Sequence, residues 1–366
     1  MRRLPGERLF LFLLAFNKST MGKKIVTFGE MLMRLTTPGN LRLQQSRHFD
    51  VNFGGSEGNV AISIASYGGE VSLVTALPDN PLGHVCLMKL REHSVGTDEI
   101  KMMKGERLGT YIVEKAADMR AASVIYDRKD SAFARLKPGM IDWNKAFNGA
   151  GIFHWSGIDA ALTQGLTDVC HEAIDAADHI GLEISCDINY RKNLWQYGKS
   201  AEEVLLPLMR KSDIVFGSGG EYEKALGLVA PAFNAAGSSK VIDKHAFEDY
   251  CSRVNEKLPR CKHLFIALRN VITSEHHVMA GVLWSGGKLY TTRIYEVNNV
   301  IDSMGVGDAF VGAMLYAYQN YADDQAKLDF ATAGSVLKNT IVGDYNMVTV
   351  NEVEAVIRGG SAEMKR

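Results

Sequence analysis

Ile301-Asp302-Ser303-Met304-Gly305-Val306-Gly307-Asp308 runs without a break into Ala309-Phe310-Val311-Gly312-Ala313-Met314-Leu315. A Gly-x-Gly-Asp turn therefore feeds an almost wholly apolar helix, expected over 308–320. Glycine at 305 and 307 leaves the backbone N–H groups bare and lets a ligand approach closely. Those donors stand at a helix N-terminus, where unpaired N–H groups and the helix dipole favour an anion. Asp308 is a carboxylate placed where that anion would repel it. It makes sense as a proton acceptor beside a phosphate, with the N–H groups taking up the charge that develops. The plainer alternative is that Asp308 only caps a buried helix.

A second glycine cluster lies about 250 residues upstream, Asn52-Phe53-Gly54-Gly55-Ser56-Glu57-Gly58-Asn59-Val60-Ala61. A Gly-Gly pair before a helix exposes backbone to a polar ligand. Asn59 offers both a donor and an acceptor, as a hydroxyl-rich ligand requires. Alone, the cluster also reads as a tight turn with Ser56 capping a helix over 56–67. Together with the downstream turn it points to one shared site.

Around these two corners the pattern is α/β. Apolar strands are expected at 25–29, 71–77, 152–155, 182–187, 214–216 and 263–268. Helices alternate with them, one begun by Pro81, one from Thr163, and others near Ala201 and Phe247. Such alternation predicts a largely parallel sheet covered on both faces. Over 105–135 the pattern changes to two strands, 111–114 and 123–126, around a polar turn. Ser285-Gly286-Gly287-Lys288 marks a hairpin between 278–284 and 289–294 at the sheet edge. The last helices are expected at 324–339 and near Asn351.

The chain has 366 residues, 46% hydrophobic and 23% charged, enough to bury a core without disulfides or metals. Its net charge of −1 and the lack of any basic run disfavour nucleic acid as a partner. Five scattered cysteines without CxxC spacing fit a reducing compartment. Residues 9–16 imitate a short secretory segment, yet no small-x-small cleavage site follows and the run is too short to span a bilayer. Residues 1–20 are expected to lie outside the fold, as sequence upstream of a later start at Met21. One cytoplasmic domain over 21–366, with no membrane partner, is the expectation.

The pair Gly54-Gly55…Asn59 and Asp302…Gly305-Val306-Gly307-Asp308 resembles the two signatures of the ribokinase-like (PfkB) carbohydrate kinases over about residues 21–360. Within that family the similarity is to the branch acting on 2-keto-3-deoxygluconate. It is carried by Tyr126-Asp127-Arg128-Lys129-Asp130-Ser131-Ala132, by Leu337-Lys338-Asn339-Thr340 and Gly343-Asp344-Tyr345-Asn346, and above all by Asn189-Tyr190-Arg191-Lys192-Asn193-Leu194-Trp195. The resemblance implies a three-layer α/β/α fold with a mostly parallel central sheet. A small β lid, built from about 36–51 and 105–132, is implied to close over the sugar.

It further implies ATP with Mg²⁺ as donor, and a monovalent cation is possible. Asp308 is implied as the base, with Gly305, Val306 and Gly307 forming the hole for the transferring phosphoryl group. Gly54, Gly55, Asn59, Tyr111, Tyr126, Arg128 and Arg191 are implied on the sugar side. Ser218, Glu221, Arg269, Gly305, Gly307 and Asn339 are implied on the nucleotide side, with Glu221 meeting the metal through water. Arg128 and Arg191 suit the carboxylate of a sugar acid, which a guanidinium reads bidentately. The expected reaction is phosphorylation of the terminal hydroxyl of 2-keto-3-deoxygluconate to the 6-phosphate. A kinase of a neutral ketose, ribose or nucleoside is the alternative, and a sensor without turnover a remoter one. Exposed lid strands suggest a homo-oligomer, a dimer or larger.

Three features depart from the family pattern. Ser218-Gly219-Gly220-Glu221 lacks the usual Asn before the glutamate, and Asp302-Ser303 replaces Asp-Thr. Asp127 and Asp130 put two carboxylates in the lid run, repulsive to an anionic substrate unless they point outward. His276-His277 lack a third ligand at metal spacing and are expected to be exposed. Gly157-Ile158-Asp159 reads as a loop that nothing in the spacing ties to a substrate.

Overall fold

The computed structural model describes residues 22–234 and 241–360, so the expected extension over 1–20 lies outside the described residues. In chain order the strands are β1 (Lys24–Phe28), β2 (Leu32–Thr36), β3 (Asp50–Gly54), β4 (Val71–Pro78), β5 (Ile100–Met103), β6 (Gly109–Glu114) and β7 (Ser123–Asp127). They continue as β8 (Ala150–Ser156), β9 (Glu183–Asp187), β10 (Ile214–Gly217), β11 (His263–Thr273), β12 (His276–Ser285), β13 (Lys288–Thr291) and β14 (Tyr295–Val297).

Ten of these form the main sheet in the order β13-β12-β11-β10-β9-β8-β1-β4-β5, with β14 paired to β12. From β5 through β11 every pairing is parallel, and only the pairings of β12 with β11, β13 and β14 are antiparallel. The inner strands are short apolar runs such as Ile214–Gly217, buried along their whole length. This is what a parallel strand covered on both faces requires.

Two apolar layers cover the sheet. Leu166 and Val169 of the helix Gln164–His179, Leu205 of Ala201–Met209 and Phe247 of Lys244–Lys257 pack on one face. Val60 of Ser56–Ser66, Leu90 of Pro81–Glu92, Phe310 of Val306–Asn320 and Leu328 of Asp324–Lys338 pack on the other. Start signals behave as their chemistry dictates. Asn80 accepts from the N–H groups of Leu82 and Gly83 with Pro81 at the first helical position, and Thr163 accepts from that of Leu166.

A separate four-stranded sheet, in the order β3-β2-β6-β7, corrects the expected lid boundaries. Its first half is the antiparallel pair Leu32–Thr36 and Asp50–Gly54, joined by the loop 37–49, rather than the span 36–51. The second half is the antiparallel hairpin of β6 and β7, as anticipated, and β2 pairs in parallel with β6. Strand β2 escaped notice because Arg34, a charged residue, fills one of its inward positions. Strand β3 escaped because Asp50 and Val51 are both exposed, which removes the alternation that marks a half-buried strand.

Gly157–Leu162 is a capped helix and not a loop, started by Ser156 with Asp159 closing the capping box. Of the two histidines, His276 is partly exposed beside Glu296, whereas His277 is buried. Its strand position turns it inward, against the expectation of exposure.

Candidate active site

The helices Ser56–Ser66 and Val306–Asn320 lie side by side, and Gly312 permits it. A Cβ there would stand 2.5 Å from the Cβ of Ser63 and 2.9 Å from the Val60 carbonyl oxygen. This close approach sets the first turns of the two helices together. Asn59 Nδ2 donates to Asp308 Oδ2 at 2.7 Å, and Ser56 Oγ donates to Asp308 Oδ1 at 3.1 Å. Ser56 therefore does not cap its helix; Gly55 occupies the cap position with no side chain to offer. The serine hydroxyl is spent on Asp308 and accepts in turn from Asn189 Nδ2 at 2.7 Å.

The downstream turn is held from several sides. Gly305 is the cap residue of its helix, with φ 75° in the left-handed region, and no side chain caps the first N–H groups. The donors of Val306, Gly307 and Asp308 thus keep the anion-binding capacity of a bare helix start. Asp302 fixes the turn from behind. Its Oδ1 accepts from the Met304 N–H at 3.0 Å and its Oδ2 from the Gly343 N–H at 3.1 Å. Arg34 then bridges Asp302 and Asp344 at 2.8 and 2.9 Å, with the three side chains only 1–5% exposed. Tyr111 donates its hydroxyl to the other oxygen of Asp344. Breaking such a buried group by removing one partner costs several kcal/mol, because the remaining charges stay buried.

Two cavities meet at Asp308. The larger, about 400 Å³, is walled by Asp187, Ser218, Glu221, Arg269, Met279, Thr332, Ser335 and the turn from Ser303 to Asp308. That volume falls in the range of small-molecule sites. The smaller, about 110 Å³, is walled by Glu30, Gly55, Ser56, Glu57, Asn59, Tyr111, Tyr126, Arg128, Ile158 and Asp344. Asn189, Arg191, Met304, Gly305 and Asp308 line both. A group held in one cavity and a group held in the other would touch across this aspartate.

Most expected site residues reach these walls, and two do not. Gly54 lies behind the wall, where its lack of a Cβ makes room for the Asp344 carboxyl. Asn339 is fully buried at the end of Asp324–Lys338. It donates its amide to the Ser335 and Val336 carbonyls, while Met279, Thr332 and Ser335 form the cavity surface on that side. Tyr111 lines the smaller cavity, but its hydroxyl is committed to Asp344 and its ring stacks on Tyr126 at 5.9 Å. Arg128 pairs through Nε and Nη2 with Glu30, so its charge is balanced before any substrate arrives. Arg191 is looser, half exposed, 3.4 Å from Glu221. Glu221 accepts from the Ser218 N–H and hydroxyl, so the serine that replaces the family's asparagine still anchors it. Asp127 pairs with Arg107 and Asp130 with Arg135 on the outer surface, which removes the feared repulsion.

Burial raises the Asp308 carboxyl above the ordinary aspartate value, opposed by the Asn59 hydrogen bond, Arg191 and Ser56. The same cause raises Glu57, beneath the smaller cavity, and holds Asp159 beside it well above the carboxylate range, with the charge of Glu57 adding to it. Asp187, hydrogen-bonded to Asn189, is raised by burial and then by Glu221 and Asp308. Sequence reasoning missed Glu30, Ser56, Glu57, Asp187, Asn189 and Asp344 as site residues. Asn189 carried a usable signal, because it sits in the most specific run of the chain.

Residues 22–349 match the pfkB family of carbohydrate kinases, and the chain belongs to that family. It is a phosphotransferase acting on a sugar hydroxyl, with the mixed α/β fold of its relatives. The 2-dehydro-3-deoxygalactonokinase of Haloferax volcanii is 30% identical over 346 residues, covering 94% of this chain and 100% of that protein. The 2-dehydro-3-deoxygluconokinase of Thermoproteus tenax is 26% identical over 324 residues, covering 87% and 89%. The crystal structure of 2-dehydro-3-deoxygluconokinase from Thermotoga maritima is similar at a TM-score of 0.86 and 34% identity, covering 92% of this chain and 100% of that one. No helix among the described residues is long and apolar enough to cross a membrane.

Proposed function

We propose that the protein transfers the γ-phosphoryl group of ATP to the terminal hydroxyl of 2-keto-3-deoxygluconate, with the small sheet as lid over the sugar. The observation that carries the reading is Asp308, clamped by Asn59 and Ser56 where the two cavities join. The nucleotide belongs in the larger cavity, its terminal phosphate at the bare helix start of Val306, Gly307 and Asp308. The sugar belongs in the smaller, its hydroxyl against Asp308. Asp308 takes the hydroxyl proton as the oxygen attacks the γ-phosphorus, whose bond to the bridging oxygen of the β-phosphate breaks as ADP leaves. The Gly305–Gly307 turn stabilises charge on the transferring group, which phosphoryl transfer needs more than covalent help. The two clamping bonds keep the acceptor oxygen lone pairs aimed, while the raised proton affinity makes Asp308 a better base than an exposed aspartate.

Asp187 and Glu221 are oxygen donors on the wall of the nucleotide cavity, which Arg191 and Arg269 also line. Such a donor set suits Mg²⁺, which keeps its waters and binds through one or two carboxylates plus phosphate. When bound, the ion would neutralise phosphate charge, with Glu221 meeting it through water.

The sugar-acid assignment is supported by Arg191, a half-exposed guanidinium shared by both cavities and only partly offset by Glu221, and by the names of the relatives. Since one relative acts on the galactonate epimer, both epimers belong in the test. A coupled phosphotransfer assay should show turnover on a 2-keto-3-deoxy sugar acid well above turnover on ribose or fructose. Equal or better turnover on a neutral sugar would overturn the substrate assignment. A cytoplasmic location and pairing of subunits through the lid, whose Val51 and Ile125 are exposed, complete the reading.

A further inference from the structure

Lys338 has no part in the chemistry above, yet its side chain is completely buried, a state lysine almost never adopts without a purpose-built set of partners. Its Nζ donates to two backbone carbonyls, Ile341 at 3.0 Å and Asp302 at 3.5 Å. Both belong to segments that frame the Gly-x-Gly-Asp turn. Asp302 opens the turn, and Ile341 precedes Gly343, whose N–H is bound by the Asp302 carboxylate. The same helix end is stitched to the turn twice more. Ser335 Oγ donates to the Val306 carbonyl at 2.9 Å, and the Ile301 N–H donates to the Asn339 carbonyl at 2.8 Å. Asp302 is thus gripped on its carboxylate by Arg34 and on its carbonyl by Lys338.

We propose that Lys338 is a resident cation of this turn: its ammonium gathers the Asp302 and Ile341 carbonyls and fixes the N–H donors of Val306, Gly307 and Asp308, so that phosphotransfer needs no added monovalent cation. Carbonyl oxygens drawn around one positive charge are the surroundings that either an ammonium or a potassium ion accepts, since both are singly charged and of similar size. Here the charge is tethered. Burial lowers the Lys338 ammonium below the ordinary lysine value, opposed by the carboxylates of Asp302, Asp344 and Asp308, while Arg34 adds to the lowering. Lys338 is a positioning residue, since it reaches the turn from behind. The proposal rests on the reading of that turn as the phosphate site.

The test compares rates in tetramethylammonium chloride and in KCl at equal ionic strength. The wild-type enzyme is expected to turn over at the same rate in both. Lys338→Ala, which empties the space, should lose kcat on the order of 10–10²-fold in tetramethylammonium while KM for the sugar holds. K⁺ or NH₄⁺ should restore it saturably. Lys338→Met, which fills the space without charge, should lose activity and stay unrescued. K⁺ should also raise the melting temperature of Lys338→Ala and not that of the wild type, a readout independent of turnover. A wild-type enzyme stimulated about tenfold or more by K⁺ overturns the proposal, even if neither variant folds. So does a folded Lys338→Ala with full activity in tetramethylammonium, or one that neither K⁺ nor NH₄⁺ restores. Failure of the phosphate-site reading is distinguishable, because Asp308→Asn would then retain activity whatever the cation arms show.

Discussion

The backbone of Gly305 lies directly against the carbonyl of Asp344: a Cβ on residue 305 would stand 2.0 Å from that oxygen. Its φ of 75° compounds the constraint, since a side chain in the left-handed region is strained wherever it points. Gly305→Ala must therefore shift the turn or the segment that carries Asp344, and either displaces the N–H groups of residues 306–308. Expected is a loss of kcat of about 10²-fold or more, comparable to removing a donor from an oxyanion hole. Gly307, with open space around it, should tolerate alanine in the fold, so its variant is the control for stability. Thermal melts alongside steady-state kinetics check both.

Asn59 sets the acidity of the proposed base, Asp308. Its amide donates to Asp308 and favours the charged carboxylate, against the burial that raises the group. A base acts deprotonated, so activity is lost as pH falls through the Asp308 pKa. Asn59→Ala removes a lowering influence, and the acid limb of kcat/KM should move to higher pH. An unchanged limb in a pH–rate profile of the variant would separate Asp308 from the titrating group.

Arg191 should discriminate between acceptors. It faces both cavities and carries a charge that only Glu221, at 3.4 Å, partly offsets. Arg191→Ala should raise KM for a sugar acid by about tenfold or more, and that for a neutral ketose by much less. Arg128→Ala should act differently, leaving the Glu30 carboxylate without its ion-pair partner beneath the small sheet and lowering stability as well as affinity.

Arg34 should matter for stability more than any other charged residue of the small sheet. It links β2 to both Asp302 and Asp344, and all three side chains are buried. Arg34→Met leaves two carboxylates uncompensated, and the expected cost is about 3–5 kcal/mol. Denaturant unfolding would show it as a lower midpoint at unchanged slope.

The main sheet was legible because parallel inner strands must be apolar on both faces, and runs such as 152–155 and 214–216 announce themselves. The two glycine corners were legible because both flank helix starts. What the residues hid were polar groups whose partners come from afar. Ser56 reads locally as a helix cap, and only the approach of a helix 250 residues away turns its hydroxyl to Asp308. Arg34 reads as a surface charge until Asp302 and Asp344 close over it. Asn339 was expected at the nucleotide because its run resembles the family, whereas it satisfies carbonyls at the end of its own helix. Local pattern predicts local structure; long-range hydrogen bonds need the fold.

The most direct test is the kinetics of Asp308→Asn on the 2-keto-3-deoxy sugar acids. The substitution keeps size and shape, and one oxygen for the Asn59 amide, while removing the proton acceptor. A fall in kcat on the order of 10²–10⁴-fold, with ATP affinity and melting temperature near those of the wild type, is the predicted result. A variant that keeps wild-type kcat would contradict the account, because proton removal would then belong to another group.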